Sequence, residues 1–155
     1  AGGRILLNQK VVSSESLRKY SKLFTHISQE AELFNLTVRE NLALGRKVDD
    51  KILLEELRLV GMDEWFGHLE KGLDSISGEK GTRLSAGQKQ GINIIRGMLL
   101  DRPVALLDEP TSHLDTETEK VVVEYLKEKL KGKTALIVTH RDAILELADE
   151  VIELA

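Results

Sequence analysis

The chain has 155 residues, of which 41% are hydrophobic and 31% are charged, and its formal net charge is −4. This length fits one domain with a sizeable core, and the acidic balance argues against a dedicated nucleic-acid binder, which usually presents a basic face. The absence of cysteine excludes disulfides, thiolate metal sites and cysteine nucleophiles. No apolar run approaches the ~20 residues of a membrane-spanning helix, so any link to a membrane has to come through a partner or a further segment.

The first 82 residues divide into two parts. Residues 1–35 hold short apolar stretches, at 4–7 and 23–27, around a polar segment at 13–20. Residues 36–82 are more charged, and their apolar residues recur at helical spacing. In this second part the sequence predicts a helix start with the capping-box pair Thr37 and Glu40, a helix over 50–60 ended by Gly61, and a loop at 78–81.

From Leu84 onward the chain alternates between helices and short apolar strands. The apolar runs at 104–107 and 135–138 predict buried strands, and a last short strand is predicted at 151–152. The helices between them are predicted from Ser85 to about residue 100, from a capping box of Thr116 and Glu119 to Gly132, and over 143–148. Apolar strands separated by helices predict a parallel α/β sheet with right-handed crossovers.

Two adjacent carboxylates, Asp108 and Glu109, follow the strand predicted at 104–107. The carboxyl end of a strand in a parallel sheet opens onto the ligand crevice. Asp108 is therefore placed to hold Mg²⁺ through water, because that ion keeps much of its hydration shell. Glu109 is placed to polarise an attacking water. The alternative is a solvated turn, for which Asp, Glu and Pro are all ordinary residues.

The predicted helix start at Ser85 is a second candidate site. A helix N-terminus offers unpaired N–H groups and the positive end of its dipole, to which Ser85 adds a hydroxyl. Gly87 lets the backbone approach a phosphate closely. A serine that only caps the helix is the commoner arrangement. The small residues Ala86 and Gly87 favour the phosphate interpretation, because capping alone needs neither.

His140 follows the strand predicted at 135–138 and lies 32 positions after Asp108. That distance is one strand–helix–strand unit, so both residues are expected at the same edge of the sheet and next to a phosphate crevice. The other three histidines of the chain have no such setting. They are interpreted as ordinary surface or packing residues.

Together these segments resemble the ATP-binding cassette of ABC transporters, in the family's order and over essentially the whole chain. Residues 84–90 are similar to the signature sequence, 104–110 to the Walker B strand and 112–115 to the loop that follows it. His140 matches the switch histidine, and Gln29 resembles the glutamine of the loop that joins the core to the helical subdomain. Weaker matches at 34–41 and 78–81 resemble exporters, and the alternative for each of these two is a polar surface loop.

The resemblance implies an α/β fold, a partial P-loop NTPase cassette with a parallel sheet, helices on both faces and an α-helical subdomain. Residues 1–35 would begin the ATPase core, 36–82 would form the helical subdomain and 83–155 would complete the core. The family's glycine-rich lysine loop does not occur in the chain. Gly132-Lys133-Thr134 is no substitute, because it runs from helix to strand and the first glycine of the pattern is Lys127. The resemblance places the family's missing strand beside the His140 strand. We therefore expect an open sheet edge, marginal stability or self-association, and no binding of micromolar ATP by the chain alone.

The resemblance also implies roles for residues in the ATPase core. Glu109 would be the general base, Asp108 and Gln29 would organise Mg²⁺, and His140 would contact the γ-phosphate of ATP. Asp115 would link the two sites of a cassette dimer.

The signature residues would contact the ATP held by a second cassette: Ser85, Ala86, Gly87 and Gln88. Ala86 stands where the family usually has glycine, and it stiffens the helix start without abolishing binding. Gly91 and Gly97 replace residues that are commonly arginine and alanine, each at a cost of about 1 kcal/mol inside a helix.

The leading function is therefore the ATP-hydrolysing domain of an ABC exporter at the cytoplasmic face of a membrane, with a second cassette and a transmembrane domain as partners. One alternative is a regulatory cassette that hydrolyses no ATP itself. The presence of Asp108, Glu109 and His140 argues against it, because such a cassette gains nothing by retaining these residues. Another is a soluble cassette acting in DNA repair or translation. Such proteins usually carry long coiled-coil insertions or tandem cassettes, and the segment 36–82 is too short for such an insertion.

Overall fold

The computed structural model describes residues 6–7, 9–12, 20–78 and 84–153. Its strands are β1 (Leu6–Leu7), β2 (Lys10–Val11), β3 (Phe24–Ile27), β4 (Val104–Asp108) and β5 (Thr134–Val138). Its helices are α1 (Val38–Ala43), α2 (Asp50–Leu59), α3 (Asp63–Gly67), α4 (Ala86–Met98), α5 (Thr116–Lys129) and α6 (Asp142–Leu145), with 3₁₀ turns at Ser21–Leu23 and Gly72–Asp74. None of the helices in these ranges is both long and apolar enough to cross a bilayer. The polar segment predicted at 13–20 and the loop predicted at 78–81 lie mostly outside the described residues.

A three-stranded parallel sheet forms the centre of the fold, in the order β3–β4–β5. Ile27 of β3 lies opposite Leu107 of β4, which lies opposite Ile137 of β5. The short strands β1 and β2 form a separate antiparallel pair. The predicted α/β class with a parallel sheet is thus confirmed, and the register brings the carboxyl ends of the three strands to one edge.

The last strand of the sheet differs from its prediction. Residues 135–138 were expected to be buried, yet Leu136 is 61% exposed and Val138 is 52% exposed. The apolar pair at 151–152 is also exposed, and the structure assigns it no strand. Apolar composition shows that a strand is suited to burial, whereas burial itself requires a neighbour. Among the described residues, β5 pairs only with β4, so its outer edge is open.

Two glycines of α4 allow close packing, Gly97 against β3 and Gly91 against Met62. A Cβ atom on Gly97 would lie 2.7 Å from Cγ1 of Ile27, and the Thr25 hydroxyl donates to the Gly97 carbonyl at 3.0 Å. A Cβ atom on Gly91 would overlap the sulfur of Met62. Both glycines therefore allow a close approach of neighbouring elements, which offsets their cost inside a helix.

Two helices were predicted to begin with capping boxes, and both begin where expected, but only one of the two capping boxes is present. At α1, the Thr37 hydroxyl accepts from the Glu40 N–H at 3.1 Å and the Glu40 carboxylate accepts from the Thr37 N–H at 2.9 Å, as predicted. At α5 the cap is Asp115 instead of Thr116. The Asp115 carboxylate accepts from the N–H groups of Glu117 and Thr118. The Glu119 N–H, which the Thr116 hydroxyl was expected to bind, donates to the Asp115 carbonyl instead, and the Glu119 side chain makes another contact.

Helices α2 and α5 are joined by a buried polar contact. Glu56, which is 5% exposed, accepts hydrogen bonds from the Tyr125 hydroxyl and from Lys129, the latter at 2.5 Å. Burial, together with the neighbouring Glu56 carboxylate, raises the pKa of Tyr125 well above its ordinary value. The contact satisfies a carboxylate that would be costly to bury alone.

Candidate nucleotide site

The parallel register places four of the predicted site residues at one edge of the sheet. Gln29 lies two residues beyond the end of β3, Asp108 ends β4 and Glu109 follows it. Val138 is the register partner of Asp108, and His140 lies two residues after Val138. The carboxyl edge of a parallel sheet is where ligands bind in folds of this class.

Glu109 adopts an unusual backbone conformation at this edge. Its φ is +46°, in the left-handed region that non-glycine residues rarely occupy. Its N–H donates to the Val138 carbonyl at 2.9 Å, which fixes the residue after β4 to the end of β5. Backbone strain of this kind is held in place by surrounding contacts and concentrates at functional sites.

The Glu109 side chain contacts His140. Its Oε1 lies 2.7 Å from the His140 Nδ1, and the Glu109 side chain is 14% exposed while that of His140 is 74% exposed. A hydrogen bond between these atoms requires a hydrogen on Nδ1, which the Nδ1–H tautomer and the imidazolium both carry. The second oxygen, Oε2, is buried and has no hydrogen-bond partner in the described part of the chain. Glu109 therefore keeps an acceptor that its neighbours do not use.

Asp108 and Gln29 are both exposed at the same edge. Within the ranges that the structure describes, neither side chain forms a hydrogen bond or an ion pair with another residue. No group of three or more His, Asp or Glu side chains in those ranges is arranged to hold a metal. A single carboxylate and a neutral oxygen donor still suit Mg²⁺, which is usually bound through one or two carboxylates, waters and substrate phosphates.

The signature residues Ser85 and Gln88 bind each other in this structure. The Ser85 hydroxyl accepts from the Gln88 N–H at 3.1 Å, and the Gln88 side-chain oxygen accepts from the Ser85 N–H at 2.9 Å. This is a complete capping box, which the alternative interpretation of the serine anticipated in part. Ala86 is exposed beside it.

Gly87 has a packing role that the sequence did not reveal. A Cβ atom there would lie 3.3 Å from the His113 carbonyl oxygen and 3.5 Å from Cδ2 of Leu114. On sequence grounds, the absence of a side chain at Gly87 favours close contact with a phosphate. The close approach of the 112–115 loop also accounts for a glycine at this position.

Polar residues of α4 hold the ends of two strands, and sequence reasoning missed them. Gln90 is fully buried and donates to the Pro110 carbonyl at 2.9 Å. Asn93 donates to the Ser28 carbonyl at 3.1 Å, just before Gln29. The signal available was the occurrence of amide side chains between apolar positions of one helix.

A second missed cluster joins the loop after β4 to the turn after β5. The buried Thr111 donates its hydroxyl to Oε1 of Glu119 at 2.6 Å, and Arg141 lies 3.0 Å from the same oxygen. Arg141 also donates to the carbonyls of Leu114 and Ser112 at 3.2 and 3.1 Å. The sequence spacing assigned Glu119 to the capping box of α5. The available signal for this cluster was that Thr111 directly follows the Walker B-like segment and Arg141 directly follows His140.

Asp115, expected to link two cassettes, caps α5. Its carboxylate accepts from the N–H groups of Glu117 and Thr118 at 3.1 and 3.0 Å. These hydrogen bonds, with that to Thr118 the strongest influence, lower the pKa of Asp115. The lowered pKa means that the charged form stabilises the fold above the ordinary carboxyl range and that this contribution is lost as the pH falls through the lowered value.

The Asp115→Asn variant should therefore differ from the wild type in a pH-dependent way. Asparagine caps a helix without charge. The wild type is expected to melt at a higher temperature at neutral pH, and the gap should narrow as the pH falls through the lowered pKa. Thermal denaturation between neutral and acid pH measures the gap, with Asp149→Asn as an exposed control. A gap that stays constant with pH would contradict the assignment.

Comparison with known proteins agrees with this geometry. The family model described as ABC transporter matches residues 1–112. An ATP-dependent lipid A-core flippase of Syntrophus aciditrophicus (strain SB) is 37% identical over 153 residues, which are 98% of this chain and 26% of the flippase. Multidrug resistance protein 1 of Entamoeba histolytica is 37% identical over 154 residues, 97% of this chain and 12% of that protein.

Among solved structures, a bacterial Atm1-family ABC exporter with ATP bound matches with a TM-score of 0.81 and 29% identity, covering 93% of this chain and 26% of the exporter chain. The chain thus spans about a quarter of the length of the flippase and of the exporter. The family match covers residues 1–112, and the matches to these relatives extend over nearly all of the chain. The chain belongs to the ABC transporter family, with the sequence and fold of a nucleotide-binding domain of the exporter type.

Proposed function

We propose that this chain provides the ATP-hydrolysing centre of an ABC exporter and that hydrolysis powers transport across a membrane. The observation that carries the proposal is the pairing of Glu109 with His140 at the carboxyl edge of the parallel sheet, next to the exposed Asp108. A carboxylate held in a strained backbone conformation at such an edge fits a catalytic role better than a solvated turn does.

In this mechanism Glu109 is the general base. Its carboxylate takes a proton from a water molecule while the water oxygen attacks the γ-phosphorus of ATP. The bond from that phosphorus to the bridging oxygen breaks, and ADP leaves with the electron pair. The hydrogen bond from His140 engages Oε1 and leaves Oε2 of Glu109 without a protein partner in the described part of the chain. His140 orients the base through its Nδ1–H, and as the imidazolium, in which both ring nitrogens carry hydrogen, it would also donate from Nε2 to the γ-phosphate.

Asp108 and Gln29 are proposed to hold Mg²⁺ on the nucleotide, Asp108 through a water molecule. The ion would supply positive charge to the phosphate oxygens as negative charge develops on them. The exposure of both side chains, on neighbouring strands of one sheet edge, supports this assignment.

The signature segment is proposed to act on the ATP of a second cassette. Ser85 and Gln88, with the exposed Ala86 and the backbone at Gly87, would meet its phosphates at the N-terminal end of α4. Asp115 would lie at the contact between the two cassettes. The chain is proposed to consist of a helical subdomain at 36–82 and two parts of the ATPase core, at 1–35 and 83–155. It is also proposed to lie at the cytoplasmic face of the membrane, next to a transmembrane domain.

The proposal is tested by Mg²⁺-dependent ATP hydrolysis in the full-length protein, comparing the wild type with the Asp108→Asn variant. Loss of the carboxylate should raise the Mg²⁺ concentration needed for half-maximal hydrolysis about tenfold, because removal of an outer-shell partner weakens metal binding by about that factor. The rate is measured by phosphate release across a Mg²⁺ titration.

The matched control is Asp149→Asn, which changes an exposed aspartate that is not among the proposed site residues and should leave the titration unchanged. Hydrolysis that needs no divalent ion would contradict the proposed role of the metal. An Asp108→Asn titration that coincides with that of the wild type would contradict the assignment of this residue. A full-length protein that hydrolyses no ATP would overturn the function as a whole.

A further inference from the structure

We propose that Thr111, Glu119 and Arg141 are positioning residues for the hydrolytic site: they hold the loop after Glu109 and the turn at His140 in one fixed arrangement. The inference rests on the function proposed above. It concerns residues that the sequence motifs do not include in that function.

The first observation is that one carboxylate oxygen serves both sides of the cluster. Oε1 of Glu119 accepts from the Thr111 hydroxyl at 2.6 Å and lies 3.0 Å from Nη1 of Arg141. Thr111 is fully buried and Glu119 is 7% exposed. A hydrogen bond to a charged group in such a setting is worth more than an exposed one, and breaking it leaves a buried group unpaired.

The second observation is that Arg141 binds backbone as well as side chain. Its guanidinium donates to the carbonyls of Ser112 and Leu114, at 3.1 and 3.2 Å, and forms the ion pair with Glu119. Three acceptors on two elements thus bind one planar group. A lysine has a single ammonium and cannot reproduce this fork.

The third observation is where the cluster lies in the chain. Thr111 is separated from Glu109 only by Pro110, and Arg141 directly follows His140. The Glu109–His140 hydrogen bond and the cluster therefore connect the same two segments of the chain. Movement of the 111–114 loop away from Arg141 would shift the base and the histidine relative to each other.

If the cluster positions Glu109 and His140, its loss should lower the turnover number kcat and leave ATP binding nearly unchanged. Thr111→Val keeps the shape of the side chain and removes the hydroxyl, whereas Thr111→Ser keeps the hydroxyl. In the full-length protein we expect Thr111→Val to lower kcat about tenfold with KM for ATP within about twofold of the wild type. Thr111→Ser should retain a kcat close to that of the wild type.

Arg141→Lys is the second variant, and it keeps the positive charge should Thr111→Val fail to fold. It is expected to lower kcat with little change in KM, as Thr111→Val does. Arg58→Lys is the matched control, because Arg58 pairs with Glu55 on the exposed surface of α2. The control should leave both kinetic constants unchanged.

Amide hydrogen exchange separates this inference from the proposed function. The N–H groups of Ser112 and Leu114 donate to carbonyls within the loop, at 3.2 and 3.0 Å, so their exchange reports its opening. Faster exchange at both amides in Thr111→Val than in Thr111→Ser, together with the drop in kcat, would support the inference. Equal kcat and equal exchange in the two variants would overturn it. If the wild type hydrolyses no ATP, the proposed function fails, and the exchange comparison alone then decides whether the cluster holds the loop.

Discussion

Replacing Glu109 by glutamine in the full-length protein is expected to reduce ATP turnover by about 10²–10⁴-fold, the usual contribution of a general base. Glutamine cannot accept the proton of the attacking water at neutral pH. Its side-chain oxygen can still accept the hydrogen bond from Nδ1 of His140, so the geometry of the pair should be kept. ATP binding should therefore stay close to that of the wild type while phosphate release falls.

The measurement combines steady-state phosphate release with calorimetric ATP binding on the same preparations. Glu117→Gln is the control, because Glu117 is an exposed residue of α5 that pairs with Lys120 and lies outside the proposed site. Turnover of Glu109→Gln near the wild-type rate would show that another group takes the proton. Loss of ATP binding in the same variant would point instead to a role in holding the nucleotide.

Gly97→Ala is expected to lower the free energy of unfolding by about 1–2 kcal/mol. Overpacking a core usually costs about 1–3 kcal/mol, whereas alanine in place of glycine inside a helix returns at most about 1 kcal/mol. The new Cβ would lie 2.7 Å from Cγ1 of Ile27, a fully buried β-branched residue that cannot easily move aside, and 3.3 Å from the Thr25 hydroxyl. The packing cost should therefore exceed the gain in helix propensity.

Chemical denaturation of the wild type and variants tests this expectation. Gly67→Ala is a matched control, because a Cβ atom at Gly67 meets no other atom within 4 Å, and this variant should be neutral or slightly more stable. In the Ile27→Ala background, Gly97→Ala should no longer destabilise, since the conflicting side chain is gone. A Gly97→Ala variant as stable as the wild type would mean that α4 and β3 can separate without cost.

The strands at 104–107 and 135–138 could be predicted from the sequence because their signal is local. A run of four apolar residues such as 104–107, bounded by turn residues, suffices to identify a strand, and helices between such runs require parallel pairing. The same logic placed Asp108 and His140 at one edge of the sheet, where the structure has them. The capping box at Thr37 was predicted correctly for the same reason, since its partner lies three residues away.

The features that could not be predicted from the sequence depend on contacts between residues that are far apart in the chain. Exposure of Leu136 follows from the lack of a described neighbour for β5, which no apolar pattern encodes. Glu119 was assigned to Thr116 because the two have the spacing of a capping box. The actual contact is with Thr111, eight residues earlier, and with Arg141 on another element. The spacing of Thr116 and Glu119 favours a capping box, although Asp115, which also caps helices, directly precedes Thr116 and is the residue that caps α5.

The tight approach of α4 to the sheet has a consequence for mutational tolerance. Saturation mutagenesis of this helix should show sharp intolerance at Gln90, Asn93 and Gly97, where amide and glycine residues hold strand ends or allow contact. These positions recur every three to four residues, so they form one face, yet none of them is hydrophobic. A prediction based on hydropathy alone would expect these three positions to accept most substitutions. The helix would then be mistaken for one fixed by its isoleucines alone.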